Sequence, residues 1–125
     1  MANIVNKLTH PEIVTAVAAL LDDHKGEDTK ILYIGGQSSY TDYFIITTAH
    51  SSVHLKSLTE RIAAFLRKSD HAILYHSKAK DDSGWLLLDC GNFIVHVMDK
   101  EKRIFYELEK LCYPGPEIPY SSKSS

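Results

Sequence analysis

Two apolar segments joined by a short turn constrain the fold of this chain more than any other feature. Trp85–Cys90 and Phe93–Met98 are rich in strand-forming residues, and Gly91-Asn92 between them is a hairpin signal, although Asn-Gly is the commoner order. Successive strand residues point to opposite faces of a sheet, and in both segments both faces are apolar. The hairpin therefore needs helices on both faces, or else an exposed apolar patch marks a partner surface.

Helical and alternating patterns predict three helices and three further strands around this hairpin. Thr9 and Glu12 form a capping box at the first helix, Ser51 or Ser52 caps the second, and Asp99 caps the last. The predicted elements, in chain order, are a helix from Thr9 to Asp22, strands Lys30–Ile34 and Tyr43–Ala49, a helix from Ser51 to Arg67, a strand Ala72–Ser77, the hairpin, and a final helix from Asp99 to Cys112.

The order of these elements indicates one α/β domain. A chain of 125 residues is long enough for a single core, and the order α-β-β-α-β-β-β-α predicts a mixed sheet of about five strands with about three helices. The second strand, the middle helix and the third strand should form a right-handed βαβ unit. The domain is expected at residues 1–113, and Pro114, Gly115 and Pro116 predict that 114–125 is a flexible C-terminal tail.

Charge and hydropathy exclude several classes of partner. The formal net charge is −2 and the isoelectric point is about 6.4, whereas proteins that grip RNA phosphates usually carry a basic surplus, so we expect little direct RNA contact. No apolar run reaches the roughly 20 residues that cross a bilayer, so we expect no membrane partner. Met1–His10 lacks the apolar core of a signal peptide, which favours a cytoplasmic location with Cys90 and Cys112 as small buried hydrophobes.

No group of residues supports catalysis or metal binding. His50 and His54 have i,i+4 spacing, but the adjacent glutamate and a third ligand of a zinc site are missing. The Gly-Gly-Gln-Ser-Ser loop before Asp42 resembles the opening of a nucleotidyltransferase site, whose magnesium requires paired carboxylates. Phe44 stands two residues after Asp42, and Asp89 has no carboxylate partner in sequence. We therefore predict no catalytic residue, no metal and no cofactor.

Three stretches of the chain resemble the Iojap-like ribosomal silencing factors. The segment Thr41–Ile46 is similar to the family's Asp-Tyr-Phe strand, and Ser51-Ser52 stands at the family's helix start. The most specific match is Gly84–Met98, where the family has Trp, apolar residues, Asp-Tyr-Gly-Asp and then Val-His-Val. It continues into Arg103–Leu111, which resembles the family's helix with Arg followed by Tyr-x-Leu-Glu-x-Leu. The resemblance covers residues 12 to 112.

The resemblance implies a non-catalytic protein that binds the large ribosomal subunit. Its fold would be nucleotidyltransferase-like without the catalytic carboxylates, and its partner would be the fourteenth protein of that subunit, a small β-barrel at the subunit interface. Occupying that surface would block subunit joining and repress translation. The alternatives are a large-subunit assembly factor and a nucleotidyltransferase-like enzyme, and a homodimer of the free protein stays open. Cys90, Asn92 and Cys112 depart from the family's usual Tyr, Asp and Trp, so the detail of the interface stays open too.

The resemblance also places the partner-binding residues on the last two strands and the last helix. On that helix the stripe Ile104, Leu108 and Leu111 should face the sheet, and Arg103 and Tyr106 should then be free to reach a partner. The predicted partner-binding residues are Trp85, Leu88, His96, Met98, Arg103, Tyr106 and Glu109.

Overall fold

The computed structural model describes residues 10–36, 39, 41–77, 84–111 and 117–120. For residues 10, 11, 109 and 111 it describes the backbone alone. The elements are α1 (His10–Asp23), β1 (Glu27–Tyr33), β2 (Tyr43–Ala49), α2 (Ser52–Lys68), β3 (Tyr75–His76), β4 (Trp85–Asp89), β5 (Phe93–Asp99), α3 (Lys100–Tyr106) and α4 (Leu108–Leu111). β2 has the predicted bounds, β1 begins three residues before its predicted start at Lys30, and β3 is shorter than predicted.

The five strands form one mixed sheet in the order β1-β2-β5-β4-β3. β2 and β5 are parallel neighbours, and the other pairings in this sheet are antiparallel. The predicted mixed α/β sheet of five strands is thereby confirmed. β2 and β3, which α2 connects, run in the same direction, but they are not neighbours because the β4–β5 hairpin lies between them.

The β4–β5 hairpin forms at the predicted turn. Leu88 lies opposite Val95 in the antiparallel register, and the Cys90 amide donates to the Phe93 carbonyl at 2.9 Å. Gly91 within the turn has a φ of +88°, a left-handed conformation that glycine adopts without strain. The turn residues therefore set the register that brings the apolar side chains of both strands to matching faces.

Cys90, at the end of β4, is a buried thiol. Burial, with a smaller contribution from the neighbouring Asp89 carboxylate, raises the pKa of this thiol to about 12. It is therefore protonated and unreactive at neutral pH, as expected of a small buried hydrophobe. Cys112 lies outside the described residues.

One face of the sheet, which we call the closed face, is covered by α1 and α2. α2 begins at a predicted cap, because the Ser51 hydroxyl accepts the His54 amide at 3.0 Å. The largest side chains of the closed face are Ile13, Leu21, Ile31, Ile45, Leu58, Ile62, Leu66, Leu86, Leu88 and Phe93. These side chains are fully buried, so this face carries the main core of the domain.

The opposite face, which we call the open face, carries a smaller cluster beneath α3 and α4. Its buried members are Leu32, Ile34, Phe44, Ile46, Ile94, Met98 and Leu108, with Trp85 and Leu87 partly buried. The predicted single final helix is interrupted at Glu107, whose φ is +47°. A left-handed residue cannot continue a right-handed helix, so the cover of this face is divided into two short pieces.

The described end of the chain packs back along β1. Glu117 forms an antiparallel bridge with Leu32, and the Ile118 amide donates a 2.8 Å hydrogen bond to the Ile31 carbonyl. Tyr120 packs against the closed-face cluster. Residues 117–120 of the predicted tail therefore contact β1, whose edge offers backbone groups for pairing. The other residues of 114–125 lie outside the described part of the chain.

Candidate partner-binding surface

Gly84 and Asp99 fix the start of α3 on the open face. The Asp99 carboxylate accepts the Lys102 amide at 2.7 Å, which is the predicted helix cap, and the Asp99 amide donates to the Gly84 carbonyl at 2.8 Å. Gly84 has a φ of +63°, and a Cβ at this position would collide with the Asp99 carboxylate and the Lys102 side chain. The residue before β4 and the cap of α3 therefore form one tightly packed unit.

α3 turns Arg103 toward the sheet and Ile104 away from it. Arg103 is 7% exposed, and its guanidinium donates to the Thr48 hydroxyl at 2.9 Å and lies 3.7 Å from the Asp28 carboxylate. The same guanidinium also donates to the Glu27 carbonyl at 3.4 Å. The predicted orientation of this helix is therefore wrong for Arg103 and Ile104, because polar groups of β1 and β2 hold the guanidinium inside.

Three consecutive side chains, Ile104, Phe105 and Tyr106, stand on the outer side of α3, and we call them the α3 ridge. Their exposed fractions are 65%, 75% and 42%. The rings of Phe105 and Tyr106 meet edge to face with centroids 4.9 Å apart, and the ridge borders a depression of about 470 Å³. Contiguous large apolar side chains at a surface mark a site for a partner.

A row of aromatic rings supports the end of the ridge. The Trp85 ring lies 4.8 Å from the Tyr106 ring and 5.8 Å from the His96 imidazole, which in turn meets Phe44 edge to face at 4.5 Å. Trp85 Nε1 donates to His96 Nδ1 at 3.1 Å. Burial lowers the pKa of His96 to about 4, so the imidazole is neutral at pH 7 and Nδ1 can accept.

The structure brings some of the predicted partner-binding residues together and separates others. Trp85 and Tyr106 reach the surface, whereas His96 and Met98 are buried on the open face, 4% and 0% exposed. Leu88 is buried in the closed-face cluster, so in the folded protein it is inaccessible to a partner. Arg103 is inaccessible for the reason given above, and the Glu109 side chain lies outside the described residues.

Ile104 and Phe105 are the surface residues that the sequence pattern did not identify. Both stand at helical spacing from Leu108, and such a stripe normally predicts burial. Leu108 is indeed buried, as predicted, but the left-handed Glu107 breaks the helix between them. Ile104 and Leu108 therefore do not share one helical face, and no sequence signal distinguishes this stripe from a continuous buried one.

A wider depression of about 700 Å³ lies on the other side of Ile104. Its charged lining consists of the carboxylates of Glu27, Asp28 and Glu107 and the cations Lys100, Arg103 and Lys110. Three carboxylates and three cations thus line it, and Lys110 Nζ lies 2.7 Å from the Glu107 carboxylate. The surface beside the ridge is thus near neutral and lacks the basic surplus of a phosphate-binding groove.

The candidate metal-binding residues do not assemble into a site. Asp42 directly precedes β2 and Asp89 ends β4, and β5 lies between these two strands, so ordinary strand spacing puts about 10 Å between their backbones. His50 and His54 stack at 5.1 Å between ring centroids and bond to backbone carbonyls that follow α1. Within the described ranges there is no cluster of three or more His, Cys, Asp or Glu side chains suited to a metal ion.

The fold and this surface define a small mixed-sheet α/β protein with a closed core on one side and an exposed aromatic ridge on the other. No helix in the described part of the chain is long and apolar enough to cross a membrane. The sequence matches the model of the family described as "Ribosomal silencing factor during starvation" over residues 7–124. The chain belongs to this family, which confirms the resemblance seen in the sequence and extends it beyond residue 112.

Individual relatives agree with this assignment. The chain is 31% identical to the ribosomal silencing factor of Bacillus subtilis over 111 residues, which cover 87% of this chain and 92% of that protein. It is 30% identical over 102 residues to a mouse protein named "Mitochondrial assembly of ribosomal large subunit protein 1", covering 78% of this chain and 44% of the mouse protein. A crystal structure from Chromobacterium violaceum shares the fold, with a TM-score of 0.79, 24% identity, and coverage of 94% and 97%.

Proposed function

We propose that this protein binds the large ribosomal subunit at the surface that meets the small subunit, prevents the two from joining, and so represses translation. The contact we propose is with the fourteenth large-subunit protein, a small β-barrel, in the cytoplasm and without catalysis or a cofactor. Membership of a family described as ribosomal silencing factors supports this proposal, as does the name of the mouse relative.

The observation that carries the proposal is the α3 ridge. Ile104 and Phe105 are about two thirds and three quarters exposed beside Tyr106, and the Trp85 ring packs against Tyr106. Burying apolar surface stabilises a complex by about 25 cal/mol per Å², and a few central aromatic side chains usually dominate the binding energy. The ridge has both properties, so it is the part of the described surface best suited to a protein partner.

Electrostatics favour a protein partner over RNA. The net charge is −2, and the walls of the depression beside Ile104 carry carboxylates as well as cations. Binding through phosphates would release counterions and lose about a thousandfold in affinity or more between 50 and 200 mM salt. We expect this protein to lose much less than that, which a titration of subunit binding at the two salt concentrations measures directly.

The mechanism needs only mutual exclusion. If the protein and the small subunit compete for one surface, each lowers the apparent affinity of the other by the same factor. In a sucrose gradient we expect the protein to travel with free large subunits and not with joined ribosomes. An excess of small subunits should displace it. Equal occupancy of joined ribosomes at matched concentration and salt would rule out the steric mechanism.

Two truncations at equally exposed apolar positions test where the contact lies. Phe105→Ala should weaken large-subunit binding by roughly 30- to 1000-fold, as expected for a hot spot of about 2–4 kcal/mol. Val53→Ala, at a residue 76% exposed at the start of α2, is the matched control and should leave the affinity unchanged. The two melting temperatures should agree with that of the wild type, because neither side chain is buried. A normal affinity for Phe105→Ala would remove the ridge from the interface.

A second candidate is a role in assembling the large subunit, which the name of the mouse relative favours. The two roles differ in which particle is bound. An assembly factor should bind immature large subunits more tightly than mature ones, and cells that lack it should accumulate precursors. A silencing factor should bind mature subunits, and its loss should leave their number unchanged while raising translation during starvation.

A further inference from the structure

We infer that His96 is a positioning residue for the proposed partner-binding surface, the exposed side of Trp85 and the α3 ridge. Its Nδ1 accepts the indole N–H of Trp85 and so fixes the ring against which Tyr106 packs. Because it assumes that Trp85 and Tyr106 meet the partner, this assignment rests on the proposed function. It replaces direct contact between His96 and the partner, which burial excludes, since the side chain is only 4% exposed.

The contacts of His96 lead outward in one direction. Phe44 holds the imidazole from within the open-face cluster at 4.5 Å between ring centroids. On its outer side, His96 Nδ1 lies 3.1 Å from Trp85 Nε1, and the Trp85 ring lies 4.8 Å from Tyr106. A shift of the imidazole would therefore be passed to Trp85 and from there to the α3 ridge.

Packing alone does not explain an imidazole at this position. With Nδ1 accepting, the proton of the neutral ring sits on Nε2, and this buried atom has no hydrogen-bond partner among the described residues. An unpaired buried donor destabilises a fold, so an apolar ring of similar size would pack at least as well. What the imidazole adds is an acceptor aimed at the indole, and burial keeps it neutral by lowering its pKa to about 4.

The indole needs such a constraint because Trp85 is only partly buried. It is the first residue of β4, and a ring–backbone torsion of this type has broad minima that packing on one side does not separate. One hydrogen bond to a buried, immobile acceptor selects a single ring orientation. A partner then meets Trp85 and Tyr106 already ordered, and the entropy lost on binding is smaller.

Trp85 is the only tryptophan in the chain, so its indole N–H gives one assignable resonance in a proton–nitrogen NMR spectrum. In His96→Phe we expect that resonance to move and its hydrogen exchange to accelerate while the fold is retained. Large-subunit affinity should fall by about three- to tenfold, the equivalent of one net hydrogen bond. His96→Asn keeps an acceptor near the position of Nδ1 and should restore both the resonance and the affinity.

Trp85→Phe completes the test, because it keeps an aromatic ring and removes the donor. If the hydrogen bond is the cause, adding His96→Phe to Trp85→Phe should lower the affinity no further. An unchanged indole resonance in His96→Phe would overturn the positioning role. So would an equal loss of affinity on adding His96→Phe to the wild type and to Trp85→Phe. Binding that is unaffected by Trp85→Ala and Phe105→Ala would instead overturn the proposed partner-binding surface, whatever the resonance shows.

Discussion

The closed and open faces of the sheet bury similar side chains under different amounts of cover. On the closed face, helices of 14 and 17 residues lie over the strands. On the open face, α3 has seven residues and spans about 10 Å, whereas five strands at ordinary spacing extend over about 20 Å. The closed face can thus supply most of the stability of the fold. On the open face, the short α3 leaves apolar side chains exposed and available for a partner.

The two faces also differ in their buried polar groups. The closed face contains a hydroxyl pair, Thr29 and Thr47, whose oxygens lie 2.7 Å apart. The open face contains Arg103 and His96, whose hydrogen bonds reach Thr48 and Trp85. Charged and imidazole groups have demanding geometry, so they set the orientation of α3 and of Trp85 where the apolar contacts are few.

The largest expected effect contrasts adjacent residues of β4 that point to opposite faces. Leu88→Ala should lower the free energy of unfolding by about 2–5 kcal/mol, because Leu88 is fully buried in the closed-face cluster. Leu87→Ala, on the open face, should cost about 1 kcal/mol because Leu87 is only partly buried. Urea unfolding of both variants measures the difference. Equal losses would mean that the open face is as fully covered as the closed one.

Acid should destabilise the open face through His96. The folded-state pKa of His96 is about 4, below its ordinary 6.5, because burial disfavours the imidazolium. The unfolded chain therefore binds the proton first as the pH falls. The contribution of His96 to the free energy of unfolding is fully present above about pH 6.5, is lost between pH 6.5 and 4, and changes no further below pH 4. The total loss is about 3 kcal/mol.

The matched control for this pH effect is His96→Phe, which has no proton to take up at this position. The free energies of unfolding of the two proteins should differ least at pH 7 and diverge as the pH falls toward 4, because only the wild type loses the contribution of His96, with carboxylate titration common to both. Parallel pH profiles would show that His96 is hydrated in the folded state, and the buried row of rings would then be wrong.

Arg103→Ala tests the orientation of α3. The variant should lose about 1–3 kcal/mol of stability, because the Thr48 hydroxyl and nearby acceptors lose a buried donor. Lys100→Ala, at an exposed cation of the same helix, should change stability by less than about 0.5 kcal/mol. Thermal unfolding of the two variants measures this difference. If Arg103 instead pointed outward, as the sequence stripe predicts, both substitutions would change stability equally little.

The smallest effect concerns left-handed residues that follow the helices of the two faces. Glu107 (φ +47°) follows α3 and Asp70 (φ +58°) lies just beyond α2. Glu107→Gly should gain about 0.5–1 kcal/mol and raise the melting temperature by about 2–4 °C, despite the loss of the exposed Lys110 pair. Asp70→Gly should gain less, because aspartate enters this conformation more readily than glutamate. A loss of stability in Glu107→Gly would show that the break after α3 is held by side-chain contacts.

Features that depend on neighbouring residues were predictable from the sequence. The Ser51 and Asp99 caps, the Gly91-Asn92 turn and the bounds of β2 all follow from local chemistry, and the structure has each of them. The hairpin and the family resemblance also placed Trp85 and Tyr106 on neighbouring elements. The structure adds that their rings meet at 4.8 Å.

Features that depend on distant residues were not predictable. Arg103 turns inward because Thr48 and Asp28, more than 50 residues earlier in the chain, provide its partners. Residues 117–120 contact β1 because the edge of that strand offers backbone groups for pairing, whereas their own composition predicts a loose tail. The same reasoning applies to Leu88, a predicted partner-binding residue that is buried in the closed-face cluster: alternation separates two faces but does not say which one the long helices cover.

By itself, the sequence determined the order of the strands along the chain, the first two helices and the mixed five-stranded sheet, because periodicity, caps and turns act over a few residues. Its short motifs determined the family. Only the tertiary structure decided which sheet face is closed, which side of α3 is outward, and that Ile104 and Phe105 are exposed. Those outcomes depend on side chains from β1, β2 and β5 competing for the same helix surface. The outcome depends on which polar partners and how much volume each position offers. Neither can be inferred from the neighbouring residues in the sequence.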